Sequence, residues 1–326
     1  MKTLFKKVLK YVLSAVLMVV LLYFAFRSVE WQNFIDGIRS TDFTFVALSM
    51  LCGLSAFVLR GSRWKLLMQP LDSEIGFSRT FDGVCIGNLA NCALPFAGEI
   101  ARCGVVSTKK SGFDKTLGTI ALERLWDLVS IILIVVLAFL LKGETVRNFL
   151  EVNVFKPMAE GAVRIWWLVL ALLALLALAV WMVVKFRFRS RICKKLYDLA
   201  KGLGQGFISF IGMKKKGYFL VLTVLIWTMY WLMCVCISTG FPAASGLTIG
   251  DTLFIMAVGN LASVIPVPGG FGAYHYIIAL ALSGIYGLTW DNGIVFATLS
   301  HESQALVMIV SGLTCYLHRT LAMRKK

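Results

Sequence analysis

The chain alternates long apolar runs with short polar connections. Six runs approach the twenty or so residues an α-helix needs to cross a bilayer: 8–26, 43–67, 116–141, 164–184, 217–239 and 293–316. Each predicts a transmembrane helix. Two further apolar stretches, 80–108 and 249–286, are interrupted near their middles. The first break reads Ala93-Leu94-Pro95-Phe96-Ala97-Gly98, the second Ile265-Pro266-Val267-Pro268-Gly269-Gly270-Phe271-Gly272. Proline removes a helical hydrogen bond and glycine favours turns, so each stretch predicts two short helices around a hinge. As a re-entrant hairpin or as a pair of full crossings, each returns to the side it entered from. The fold class is therefore an all-α polytopic membrane protein, residues 1–326 forming one integral membrane domain.

The broken stretches read as copies of one another. Gly87-Asn88-Leu89-Ala90 recurs as Gly259-Asn260-Leu261-Ala262, and Pro and then Gly follow each within a few residues. The copies occupy like places in two halves, 43–141 and 217–316. With three spans between them, the second is inverted relative to the first. Inverted repeats with broken helices point to alternating access. The plainer reading is that glycine breaks let helices pack closely.

Composition fits this picture: 59% of residues are apolar and 15% charged, far from an ordinary soluble domain. The net charge of +16 would point to nucleic acid in a soluble chain. Here it sorts by side. With the N-terminus inside, 25 Lys/Arg fall on inner segments and six on outer ones, and the 185–216 connection holds ten against a single acid, Asp198. Both termini are then expected in the cytoplasm. Residues 190–212 are expected as an amphipathic helix on the inner surface, and no nucleic-acid partner is expected.

Seven charged residues sit at expected membrane depth: Asp82, Glu99, Arg102, Glu123, Arg124, Asp127 and Glu302. Each costs roughly 2.5–3.5 kcal/mol at a helix centre facing lipid, so they must face one another or water. Glu99 and Arg102 share a helical face at i,i+3, and Glu123 and Asp127 share one at i,i+4. Three readings stay open. The first is a structural ion-pair network. The second is a cavity in which Arg102 and Arg124 take a phosphate, with Asn88 nearby and backbone N–H groups at Gly269 and Gly270 assisting. The third is proton coupling through Glu302, His301 or Glu123.

Other chemistry is thinly represented. There is no G-x-x-x-x-G-K-[ST] loop, no H-E-x-x-H and no G-x-S-x-G. The histidines His275, His301 and His318 are scattered along the sequence, and the eight cysteines lie almost all in apolar segments without a C-x-x-C pair. No metal, cofactor or disulfide is expected. The run from Val8 to Phe26 reads as a retained anchor rather than a cleaved signal.

The series Gly87-Asn88, Leu94-Pro95, Gly98-Glu99 and Arg102, then Leu122-Glu123-Arg124 and Asp127, then Pro266-Val267-Pro268-Gly269-Gly270-Phe271-Gly272 resembles the lysylphosphatidylglycerol synthase transmembrane-region family. This flippase-like domain forms the membrane half of the multiple peptide resistance factor. The resemblance implies a role in moving an anionic or zwitterionic phospholipid, or another polar-headgroup lipid, between leaflets of a bacterial cytoplasmic (inner) membrane. It implies no catalytic residues and no synthase activity, since the chain stops at Lys326 without the soluble domain of bifunctional members. It leaves a homo-oligomer or a lipid-enzyme partner open. Two departures stand out: Phe96 where many members carry Arg, and His275 where an acid usually follows the glycines. The alternative is an intramembrane glycosyl- or phosphotransferase acting on a lipid-linked substrate, since related membrane regions also occur beside glycosyltransferase modules.

Overall fold

In a computed structural model of the chain, the described residues are 2–141, 212–262 and 267–324, with Ile265 and a few isolated positions between 143 and 210. The expected span 164–184, most of the basic 185–216 connection with its surface helix at 190–212, and Pro266 lie outside them. The described residues form ten α-helices and no strand: α1 (Lys2–Phe26), α2 (Trp31–Arg39), α3 (Phe43–Met68), α4 (Phe77–Ala93), α5 (Ala97–Val106), α6 (Phe113–Leu141), α7 (Lys216–Gly240), α8 (Ile249–Ala262), α9 (Ala273–Tyr286) and α10 (Trp290–Arg324). Helices thus occupy five of the six expected spans. Phe43–Met68, Lys216–Gly240 and Trp290–Leu321 are each long and apolar enough to cross a membrane, and α1 with α2 forms a further apolar pair bent by 87°. The outward faces of α3, α6, α7 and α10 carry exposed Leu51, Leu133, Leu140, Val224 and Leu317, as lipid contact requires.

Both broken stretches are helical hairpins. In the first, Leu94 is extended ahead of Pro95, as a residue before proline prefers, and Phe96 turns the chain in the left-handed region (φ 62°). Asn91 near the end of α4 accepts a hydrogen bond from the Gly98 amide (2.7 Å), capping α5 from the neighbouring helix. The far ends meet as well: the Arg79 guanidinium, early in α4, donates to the carbonyls of Val105 (3.0 Å) and Ser107 (2.8 Å) at the end of α5. A ten-residue α5 is about 15 Å long, half a bilayer core, so it cannot cross alone. The second break uses glycines, with Gly269, Gly270 and Gly272 all at positive φ. A side chain at Gly272 would also collide with the α1 backbone at Leu22, 2.7 Å away. Phe254 of α8 packs with Ala281 and Ile285 of α9, closing this hairpin in turn.

The long α10 serves both hairpins. Gly312 lies where a Cβ would come within 2.5 Å of Leu89 in α4, and Gly293 where it would come within 2.8 Å of the Ala279 backbone in α9. Small residues at helix crossings let backbones approach closely where apolar burial offers little drive. Two larger apolar cores result among the described residues, beside two smaller ones. One gathers Trp64, Val84, Cys103, Ile120 and Phe219 around α3 to α7, and the other gathers Ile237, Ile255, Ile278 and Phe296 around α7 to α10.

Candidate functional site

The charged residues of the first half converge where α3, α5 and α6 meet. Glu123 is fully buried, and both its carboxylate oxygens are taken. Oε1 accepts from Arg60 Nη2 (2.8 Å) and from Arg63 Nη2 (3.3 Å), while Oε2 accepts from Arg102 Nη2. One turn on, Asp127 accepts from Arg60 (2.9 Å) and Arg63 (2.7 Å), one on each oxygen. Arg124 pairs with Glu99 at 2.9 Å and reaches Asp127 at 3.9 Å. The cluster holds four guanidinium groups against three carboxylates, a surplus of one positive charge.

The cluster is graded from inside outward. Arg63 and Glu123 are sealed and Arg102 nearly so, Arg60 and Asp127 are mostly buried, and Arg124 is 46% exposed. The Arg102 guanidinium carbon sits over the Trp64 ring, 4.1 Å from its centroid, an arrangement arginine favours. Its stem crosses Gly87, where a Cβ would meet Cγ at 2.5 Å. The second hairpin repeats this relation: Tyr274, as far along from Gly259 as Arg102 is from Gly87, covers Gly259 at 2.7 Å.

Arg60 connects the cluster to a cavity. Its Nη1 donates to the Tyr230 hydroxyl (2.9 Å), and Tyr230 lines a cavity of about 220 Å³ together with Asn260, Gly269, Gly270, His301 and Gln304. The wall mixes these polar groups with Met233, Met256 and Met308. Gln304 Oε1 is buried there without a hydrogen-bond partner among the described residues.

The expected residues therefore separate into places. Glu99, Arg102, Glu123, Arg124 and Asp127 come together. Gly269, Gly270 and His301 stand on the cavity wall instead, and Glu302 pairs with His275 (3.3 Å) and His301 (3.1 Å). Asn88 is half-buried on α4 and is not among the cavity's lining residues. Asp82 lies 3.6 Å from Arg319 of α10, outside both groups. Arg60 and Arg63 were not singled out, because they end an apolar run where a basic residue ordinarily marks the inner surface. Separation in sequence also conceals that the His275 and His301 rings meet, with centroids 5.1 Å apart.

Comparison with known proteins places this arrangement in a family. The model of the lysylphosphatidylglycerol synthase TM region matches residues 8–312. Glycosyltransferase AglD of Haloferax volcanii is 23% identical over 314 residues, covering 87% of this chain and 50% of that protein. The UPF0104 membrane protein PH1989 of Pyrococcus horikoshii is 25% identical over 142 residues, covering 41% of each. The chain spans about half the length, or less, of these relatives. No solved structure matches. A family match over nearly the whole length, on a chain of apolar helices, marks a multi-pass membrane protein concerned with lipids. The chain belongs to the lysylphosphatidylglycerol synthase transmembrane-region family.

Proposed function

We propose that the chain is a lipid flippase or scramblase that moves a phosphate-bearing lipid, anionic or zwitterionic, between leaflets of a bacterial cytoplasmic membrane. The observation that carries this reading is the surplus guanidinium of the arginine cluster. Three carboxylates satisfy at most three of the four cations, and the half-exposed Arg124 is the one a ligand can reach. A guanidinium fork matches two phosphate oxygens, and the low dielectric strengthens the pairing. Acyl chains would stay in the bilayer while the headgroup passes.

In this reading the two hairpins are inverted halves of one repeat, supported by the matched Gly87–Arg102 and Gly259–Tyr274 contacts, and they supply the moving element. The excess of Lys/Arg on alternate connections supports both termini in the cytoplasm. Arg60, held at once by Glu123, Asp127 and Tyr230, ties the ion cluster to the cavity.

The test is reconstitution into liposomes with headgroup-labelled phospholipids, following exchange between leaflets by dithionite quenching. Wild-type protein should exchange lipid, and Arg124→Ala should not, while still inserting in the membrane. Exchange at wild-type rate in Arg124→Ala overturns the phosphate role.

A second reading, an intramembrane glycosyl- or phosphotransferase, is favoured by the name of the Haloferax volcanii relative, a glycosyltransferase. Against it stands the engagement of Glu123 and Asp127 by arginines on every oxygen, which leaves no free carboxylate pair there for a metal-held donor. Chemical analysis of lipids after incubation with purified protein separates the two readings.

A further inference from the structure

Outside the arginine cluster, one group of ligand-bearing side chains meets at a single point. His275 of α9 and His301 and Glu302 of α10 each direct one atom to a common centre, all within 4.8 Å of one another. We propose that these three residues form a binding site for a divalent transition-metal ion of the zinc class.

His301 is held in one orientation by the backbone. Its Nε2 lies 2.9 Å from the Gly269 carbonyl oxygen, an atom that can only accept, so Nε2 carries the proton. In the neutral ring Nδ1 is then a bare lone pair, and it faces a carboxylate oxygen of Glu302 at 3.1 Å. Two lone pairs at that separation call for a positive centre between them, a metal ion or a second proton, and a metal ion would at the same time engage His275. A backbone carbonyl holding the far nitrogen is also how metal-bound histidines are oriented.

Asp82, Glu99, Glu123 and Asp127 each have an arginine partner, whereas the ion-pair partners of Glu302 among the described residues are the two histidines. A carboxylate at membrane depth without a permanent cation is costly, and a bound metal ion supplies one.

The three side chains are preorganised and reachable. His275 is 2% exposed and packs on Phe26, and His301 is wedged between Phe271 and Tyr274, so both rings are fixed before any ion arrives. Glu302 keeps 41% exposure, which leaves an entry path. Two of the three spacings already fit. Tetrahedral zinc with bonds of about 2.0–2.1 Å sets its ligand atoms roughly 3.3 Å apart, and the two nitrogens stand 3.3 and 3.1 Å from the Glu302 oxygen. The full set lies within 4.8 Å, so the two imidazoles would close slightly on the ion. Two imidazoles favour zinc-class metals over magnesium or calcium. Three protein ligands leave a coordination position open, and through His301 the ion would brace the Gly269 turn of the second hairpin.

The site is tested on full-length protein purified in detergent without a polyhistidine tag, stripped with chelator and titrated with zinc chloride alone. Bound metal is counted by mass spectrometry and affinity measured by calorimetry. One zinc per chain is expected, with affinity at least about tenfold weaker in His275→Ala, His301→Gln and Glu302→Gln, since even outer-shell changes cost 10–100-fold. His318→Ala should bind as wild type. Glu302→Asp keeps the carboxylate and should bind cobalt(II) with an altered visible spectrum, which guards against variants that merely misfold. Wild-type protein that retains no zinc, or zinc binding indifferent to all three ligand changes, overturns the proposal. So does an NMR titration showing only a proton on His301. The outcome is independent of lipid exchange: zinc binding with no exchange leaves this site standing and removes the transport reading.

Discussion

Arg60 of α3 and Tyr230 of α7 meet at 2.9 Å, guanidinium to hydroxyl, while the same guanidinium holds Glu123 and Asp127 of α6. One side chain therefore ties three helices together and separates a zone of fixed charge from an accessible cavity. Most of what the structure predicts about variants follows from such shared groups.

Arg60→Met should be far more damaging than loss of a surface cation. It leaves Asp127 with fewer donors and the Tyr230 hydroxyl without its partner in a mostly buried setting. Removing one member of a buried ion pair costs about 3–5 kcal/mol. A large fall in thermal midpoint of the detergent-purified protein is expected. Tyr230→Phe, which leaves the ion pairs intact, should cost about 1 kcal/mol.

Glycine positions on α5 and its partner should divide sharply. At Gly87 a Cβ would press on the Arg102 stem at 2.5 Å and on the Gly98 carbonyl at 3.1 Å, whereas at Gly104 nothing lies within 4 Å. Gly87→Ala should destabilise by about 1–3 kcal/mol through overpacking. Gly104→Ala should be neutral or gain up to about 1 kcal/mol from helix propensity. Thermal unfolding of the two variants side by side checks the hairpin's packing.

The connection between α3 and α4 carries a pH-dependent clamp. Asp72 accepts from the Thr108 hydroxyl at 2.7 Å and from the Glu74 amide at 3.1 Å. The Thr108 bond, followed by that amide and by nearby Lys110 and Arg79, holds the carboxyl below its ordinary 3.8 against the opposing effect of burial. A depressed folded pKa means that the stabilisation is fully present above 3.8 and is lost as pH falls through the lower folded value. Unfolding midpoints should therefore drop with acidification below that point, and Thr108→Val should flatten the dependence.

Phe96 stands at the tip of the first hairpin, 59% exposed and in the left-handed region, where the resemblance places an arginine. Phe96→Arg keeps the same backbone demand, so stability should change by no more than about 0.5 kcal/mol. In the exchange assay the variant should shift preference toward anionic headgroups. Unchanged preference would separate this tip from headgroup selection.

Much of this architecture is legible in the sequence because the bilayer imposes strict rules. Apolar length marks helices, and a Pro-Phe-Ala-Gly or Pro-Gly-Gly interruption marks a hinge. A charge such as Glu123 inside an apolar run is conspicuous for its cost. The same rules hide Arg60 and Arg63. An arginine at the end of a run reads equally as an inner-surface anchor or as a buried partner, and only the fold shows that α6 delivers two carboxylates to them. The meeting of His275 with His301 is hidden for a different reason: it depends on how α9 folds back against α10 after the glycine turn.

The right angle between α1 and α2 has its own consequence. Bent by 87° from the apolar run of α1, α2 does not continue that helix's path. The Glu30 amide before α2 and Asn33 within it donate to Asp291 at the head of α10, and α2 turns Trp31 and Ile35 outward. Tryptophan settles at the boundary between headgroups and hydrocarbon. Pinned to α10 at one end and apolar on its outer side, the helix gives the bundle a shelf set square to α1, the shape a headgroup boundary would seat.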